Sequence, residues 1–446
     1  MNNPSVTRRK SDNKIIVNQD KFNLIGNSYL ELINRYQNQY AIKKNPFYAD
    51  LVNFKTNKLS PKHSWFEYKQ GYAETLVKEI IKENNVSKDT YVLDPFTGVG
   101  TTNLVAQQLG YKSIGFDINP VALIAAKVKT NFYSHEKIKE ISTLINTFNP
   151  IVKSKIIPEA AVIMSSFEQD IFDNLMFIKG FYEEISDEVI RSFFRLAYIS
   201  IIERCSTKIK DGNGLKIARN KKKIDDVYGF YIKKCKFMLM ELEANNFDTE
   251  TILINGSMNV DENFNLIKNK QVGIVIFSPP YANCFDYCEV YKLELWMAGF
   301  VENYEDFSKY RSIALRSHVN AKFNHTIRNH NSDVDLIAET VSCFNVWNKN
   351  IPDMIRGYFD DMTDIIKRLY TVMIPGSKCY IVVANSGYRG VLVPTDLLIS
   401  DIASSNGFKV KDIIFARKIR ASSQQMDLLH NGYSELMRES IVIIQK

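Results

Sequence analysis

The chain has 446 residues, 45% hydrophobic and 24% charged, and its formal net charge is +7. This suits a large globular enzyme of one or two domains, and the modest positive balance is compatible with a polyanionic partner. No apolar stretch reaches membrane-spanning length, and six cysteines in so long a chain make no disulfide framework.

Residues 1–60 are polar and rich in Asn and Lys, with a helical pattern near Leu30 to Tyr40. They read as an N-terminal arm or small cap. The first ten residues lack the apolar core of a signal peptide. An aromatic segment, His63 to Tyr72, precedes a helix expected over Ala73 to Lys82. Its Trp65, Phe66 and Tyr68 suit packing of that helix onto a sheet.

Tyr91 to Asp94 is a short buried strand, followed by a turn containing Gly98 and Gly100 and a helix start at Asn103 to Gln108. The glycines let backbone approach a ligand, and the helix N-terminus offers free N–H groups. The dinucleotide pattern G-x-G-x-x-G is not met, because no third glycine follows Gly100. Tyr111 to Asp117 is the next strand, and its terminal acid stands where an acid binds the two hydroxyls of a ribose. The same acid also suits capping the helix that starts at Asn119-Pro120 and runs to about Thr130.

More than a hundred residues separate that helix from the next clear strand, Thr251 to Asn255. The intervening 132–249 have helical periodicity and are too long for a connection, so they read as an inserted helical subdomain. Between Arg204 and Lys236 eleven Lys or Arg face three acids, a local charge of +8. Lys208, Lys210, Lys216 and Arg219 flank or follow a flexible loop marked by Gly212 and Gly214. They suit phosphate contacts or a solvated surface.

Val272 to Ile276 is a fully buried strand, and Phe277-Ser278-Pro279-Pro280-Tyr281 ends it, because two prolines cannot continue a sheet. The turn presents a hydroxyl, a ring and an unpaired carbonyl: Tyr281 can stack on a flat ring whose amino group donates to Ser278 and the Pro279 carbonyl. An ordinary strand-ending turn fits the same residues. Cys284 and Cys288 are spaced like a metal pair, but no second pair completes a four-ligand set, so they are expected as free buried thiols and no metal is expected. A smaller insertion, 282–352, a helix from about Tyr358 to Val372, a turn at Pro375-Gly376 and a strand over Lys378 to Ala384 follow. Strands at Ile413 to Arg417 and Ser440 to Ile444 end the chain.

Two motifs carry a resemblance. Asp94-Pro95-Phe96-Thr97-Gly98-Val99-Gly100-Thr101-Thr102 resembles the S-adenosyl-L-methionine (AdoMet) motif of the DNA amino-methyltransferases, and Ser278-Pro279-Pro280-Tyr281 resembles their catalytic motif. The resemblance implies an α/β fold, a doubly wound seven-stranded sheet whose last two strands close antiparallel, with a helical insertion. AdoMet-binding residues would be 61–131 and the catalytic half 250–446, both sequence-derived bounds. It also implies that Trp65, Phe66 and Tyr68 close over the methionine end of AdoMet and that Asp117 binds its ribose. Ser257 would stand in for the Asp that in many relatives binds the adenine amino group.

The implied reaction is methyl transfer from AdoMet to the exocyclic amine of a base flipped out of double-stranded DNA. Ser in the first motif position is commoner in N4-cytosine enzymes, so N4 of cytosine is the expected target, with N6 of adenine the alternative. An RNA guanine-N2 methyltransferase is a further alternative, against which residues 1–60 are short for an RNA-binding domain. A cognate restriction endonuclease is a possible partner, and a cytoplasmic, bacterial or phage-type setting is expected.

Overall fold

The computed structural model describes residues 17–68, 71–212, 214–321, 323, 326–419 and 436–446. In chain order the strands are β1 (Ile42–Lys44), β2 (Tyr91–Asp94), β3 (Lys112–Asp117), β4 (Lys208–Asp211), β5 (Gly214–Ile217), β6 (Thr251–Asn255), β7 (Val272–Phe277), β8 (Met373–Ala384), β9 (Ser386–Tyr388), β10 (Val391–Val393), β11 (Lys409–Lys418) and β12 (Arg438–Gln445). Eight of them form one sheet in the order β1-β11-β12-β8-β7-β2-β3-β6. Neighbours from β8 to β6 run parallel, and β12 is antiparallel to both β8 and β11. The seven expected strands are joined by an eighth at the edge, β1, which pairs parallel with β11.

The central strands read as continuous apolar runs because both faces of the sheet are covered. Successive side chains point to opposite faces. Leu93, Val275, Phe277, Ile381 and Val442 enter one core. Their neighbours Val92, Ile274, Ile276, Val382 and Ile441 enter another. The first core is closed by α1 (Gln19–Gln39) and by the helices Ser332–Ser342, Ile351–Val372 and Thr395–Ser405. The second is closed by α2 (Glu74–Glu83) and α3 (Thr101–Gln108). α4 (Pro120–Thr130) joins β3 to the helices of 132–249, which bury a third core around Phe193, Phe194, Tyr198 and Tyr231.

The described part of 1–60 is integrated into this architecture. Tyr29, Leu32, Ile33 and Tyr36 of α1 are core residues, and the Tyr29 hydroxyl is bonded to the backbone of Leu392. The long helix begins at Ile351, seven residues before the expected Tyr358. Pro375-Gly376 turns inside β8 rather than before it. Partners shift from Val272↔Met373 to Ile274↔Lys378, so the turn is a bulge in a continuing strand.

The C-terminal strand is locked to its covering helix by a buried charge pair. Asp396, at the start of Thr395–Ser405, accepts from Arg438 Nε and Ser440 Oγ of β12, each at 2.7 Å. Both charged side chains are almost fully buried. Removing the cation strands a carboxylate in the core, at a cost of about 3–5 kcal/mol. Arg438→Met is expected to lower the urea denaturation midpoint accordingly, while Asp396→Asn combined with Arg438→Met recovers much of the loss.

Candidate active site

β2 is where the strand order reverses: β3 and β6 follow on one side, β7 and β8 on the other. In such sheets ligands bind at the carboxyl ends beside the reversal. A cleft of about 1400 Å³, open to solvent, lies there. Asp94 ends β2, Asp117 ends β3, Ser257 follows β6 and Ser278 follows β7, and all four line it. Pro95, Phe96, Thr97, Gly98, Thr101 and Pro280 line it too, with Phe66 and Tyr68 from the aromatic segment.

The loop after β2 is shaped by its two glycines. Gly98 has φ +52°, and a Cβ on it would lie 3.3 Å from the Tyr68 ring. Gly100, at φ +79°, caps α3, and a Cβ there would stand 2.8 Å from that of Ala126 on α4. Any side chain would thus drive the loop off one neighbour or the other. Gly100 and Thr102 do not line the cleft. Thr102 lies beneath it, its hydroxyl 2.5 Å from that of Tyr72. Tyr68 is stacked on Tyr291 with centroids 5.0 Å apart. Trp65 is fully buried, donates Nε1–H to Glu241 at 2.7 Å and packs edge-on against Phe193, so its role is packing.

The carboxyls of Asp94 and Asp117 are held by backbone amides. Asp117 accepts from Gly98 N and Asn119 N, each at 2.7 Å. Burial pushes its pKa up to about 6. Asp94 accepts from Phe96 N and the Tyr72 hydroxyl, each at 2.9 Å, and burial pushes it up to about 7. Asn119, not Asp117, caps α4, by accepting from Val121 N. Ser257 Oγ accepts from Asn259 N at 3.1 Å.

In the turn after β7, the single Ser278 proton has two acceptors, Val382 O of β8 at 3.0 Å and the Tyr281 hydroxyl at 3.4 Å. The Oγ lone pairs are therefore available to accept from the cleft. Pro279 and Tyr281 are not among the lining residues. The Tyr281 hydroxyl donates to Glu439 of β12 at 2.6 Å, and Glu439 also accepts from Arg417 Nε at 2.5 Å. That anchorage ties the tyrosine to β12 beside Ser278, whose Oγ lies 3.4 Å from its hydroxyl.

The facing wall comes from the second insertion, and the sequence reading did not assign it. Asp286, Tyr287, Tyr310, Leu315, Ser317 and His318 line it. Asp286 accepts from Arg311 at 2.8 Å and from Asn320 at 3.1 Å. His318 is buried, and its Nδ1 has no partner among the described residues. Asp286 and Tyr287 follow the Ser-Pro-Pro-Tyr segment within a few residues, a proximity signal. Residues 310–318 carry none.

The basic segment resolves differently from its sequence. Lys208–Asp211 and Gly214–Ile217 pair as an antiparallel hairpin, with Gly212 at φ +55° in its turn. Lys210 cannot meet phosphate. It is 6% exposed, its ammonium lies between Glu294 and Glu203 and 4.3 Å from the Tyr291 ring centroid, and Glu294 is itself buried. Lys221 is half-buried and donates to the carbonyls of Glu203, Ser206 and Lys208. Lys216 and Arg219 are exposed and Lys208 half-buried; Lys216 pairs with Asp211.

All six cysteines are free and buried. Among the described residues no group of three His, Cys, Asp or Glu side chains is placed to hold a metal ion, and no helix is long and apolar enough to cross a membrane.

A sequence model of the N6/N4 DNA methylase family matches residues 6–128. The chain is 27% identical to the type II methyltransferase M.BsoBI of Geobacillus stearothermophilus, over 90% of this chain and 88% of that protein. It is 26% identical to the type II methyltransferase M.AvaI of Anabaena variabilis, over 84% of this chain and 85% of that one. With the type II methyltransferase M.MvaI of Kocuria varians it shares 24% identity, over 81% and 84%.

The hairpin contrast is measurable. Lys210→Met leaves the buried Glu294 without its cation and is expected to cost about 3–5 kcal/mol of stability. Lys216→Ala on the same hairpin removes one exposed pair, worth about 0–1 kcal/mol. Chemical denaturation of the two variants reads the difference.

Proposed function

Because the chain belongs to the AdoMet-dependent DNA amino-methyltransferases, we propose that AdoMet lies between Phe66, Tyr68, the Asp94–Thr102 loop and Asp117, and that the base amine is received at Ser278. The residues present fit that donor. Each Asp117 oxygen accepts one amide and keeps capacity for a ribose hydroxyl. Gly98 puts no side chain between its backbone and the Tyr68 ring. Ser257 and Asp94 stand on the same cleft and complete the set. When bound, AdoMet supplies an electrophilic sulfonium methyl.

The chain's own residues do the positioning. An exocyclic amine is a poor nucleophile while its lone pair is delocalised into the ring. Ser278 Oγ, on the cleft, accepts one of its N–H bonds and so draws that lone pair toward the methyl; the Pro279 carbonyl, outside the lining, is given no contact. Tyr281 buttresses the turn through Glu439. A base within a duplex cannot reach this depth and must flip out, which costs a few kcal/mol. Alignment of amine and methyl at about 3 Å contributes several kcal/mol. Lys208, Lys216 and Arg219 are the members of the basic segment we assign to DNA phosphates. Lys210 is withdrawn from that set.

We assign N4 of cytosine as the target. The supporting observation is Ser278 itself: a one-oxygen acceptor, 3.0 Å from the Val382 carbonyl, in the position where the adenine enzymes of the family more often place an amide or carboxylate. The relatives' type II designation supports a further proposal, that a restriction endonuclease of the same specificity accompanies the enzyme. Nucleoside digestion of DNA methylated by the purified protein, followed by mass spectrometry, tests the base. N4-methylcytosine is expected. N6-methyladenine alone overturns the cytosine assignment, and methyl on RNA alone overturns the DNA reading as well.

Ser278→Ala is expected to lower kcat by about a hundredfold with DNA affinity near that of the parent, as for an interaction made in the transition state. Single-turnover methylation and a binding titration separate the two quantities.

Asp117 gives a pH signature. Its carboxylate must be ionised to accept ribose hydroxyls, and its pKa is raised to about 6. The contribution of Asp117 to AdoMet affinity is therefore expected to be lost as pH drops through about 6. Asp117→Asn removes that inflection and lowers affinity about tenfold at pH 8. Any dependence arising from Asp94 remains in both profiles, so calorimetry on the two proteins isolates Asp117.

A further inference from the structure

The cleft also holds a buried ammonium without an anion. Lys129, in the last turn of α4, is 1% exposed and lines the cleft. Its Nζ donates to the Val99 carbonyl at 3.3 Å, and among the described residues no carboxylate is paired with it. Its surroundings are cationic. Lys62 donates to the Lys129 carbonyl at 3.1 Å, and Lys234 lies near enough to repel it, with its own Nζ 3.4 Å from Ser64 O. The nearby carboxylates are engaged elsewhere. Glu241 accepts from Lys62 N and Trp65 Nε1, and Glu74 is bonded to Lys78 and Ser60 and paired with His63. Burial, with Lys234 second, lowers the Lys129 pKa to about 7.

A buried cation with one carbonyl partner is costly, and an incoming anion relieves that cost. The position of Lys129 narrows the anion. Val99, which it holds, directly follows Gly98, whose amide is held by Asp117. Two residues span at most about 7 Å, so one small ligand can touch both groups. A ligand whose ribose meets Asp117 brings its other end toward Val99.

We propose that Lys129 receives the methionine carboxylate of AdoMet. This rests on the AdoMet reading of the cleft, and it assigns the amino-acid end to a side chain outside both sequence motifs. The contact adds charge recognition to a loop otherwise built from backbone.

Calorimetry with two ligands tests it in the full-length protein. S-adenosylhomocysteine carries the carboxylate, and 5′-methylthioadenosine lacks the amino-acid portion. Lys129→Met is expected to weaken S-adenosylhomocysteine binding tenfold or more and to leave 5′-methylthioadenosine within twofold. Equal loss of both overturns the proposal in favour of Lys129 acting only as a tie to Val99, and no loss of either also overturns it. Binding of neither ligand by the parent protein would instead remove the AdoMet reading of the cleft. Should Lys129→Met fail to fold, the parent protein decides with decarboxylated S-adenosylhomocysteine. At least tenfold weaker binding than the carboxylated ligand supports the assignment, and equal binding overturns it.

Discussion

The carboxylate of Asp117 holds two turns at once. One oxygen takes the amide of Gly98 and the other that of Asn119, so the loop after β2 and the turn into α4 are fixed to a single group. The loop cannot hold itself. Gly98 and Gly100 have left-handed backbone and no side chains, and their freedom must be removed by neighbours. Asp117 does so from one side, Tyr68 and Ala126 from the others. The arrangement keeps a buried, elevated carboxyl in the cleft, where its remaining lone pairs face whatever enters.

The aromatic contacts extend that order outward. Tyr68 covers Gly98 and stacks on Tyr291, and Tyr291 lies beside the ammonium of Lys210 in the hairpin. A surface element of the helical insertion is thus connected by packing to the loop at the sheet edge. The charge of Lys210 serves this packing, compensated by Glu203 and Glu294.

Much of the sheet was legible in the sequence, for a physical reason. A strand covered on both faces is an uninterrupted apolar run, and β2, β3, β6 and β7 begin and end within a residue or so of those runs. The site residues at their carboxyl ends followed, because motif and strand end coincide at Asp94, Asp117 and Ser278. Edge and tertiary features were not legible. β1 is Ile42-Lys43-Lys44, whose lysines look like loop, and only its pairing with β11 makes it strand. The hairpin was hidden by reading Gly212 and Gly214 as flexibility when Lys-Ile-Lys and Leu-Lys-Ile alternate on either side. Counting charge put Lys210 on the surface, since its partner Glu294 lies 84 residues away in sequence. The wall around His318 is assembled by tertiary packing alone.

The edge strand β1 has a consequence for how the molecule is made. Val17 N bonds to Cys343 O, the Tyr29 hydroxyl to Leu392, and Ile42 pairs with Ile413. Every one of these partners is synthesised more than 300 residues later. At roughly 5–20 residues per second, Ile42 waits about 20–75 seconds for the strand it joins. Through that interval the apolar face of α1 has no native surface to cover it. Its docking is a late step, completed only after the C-terminal half of the sheet has emerged.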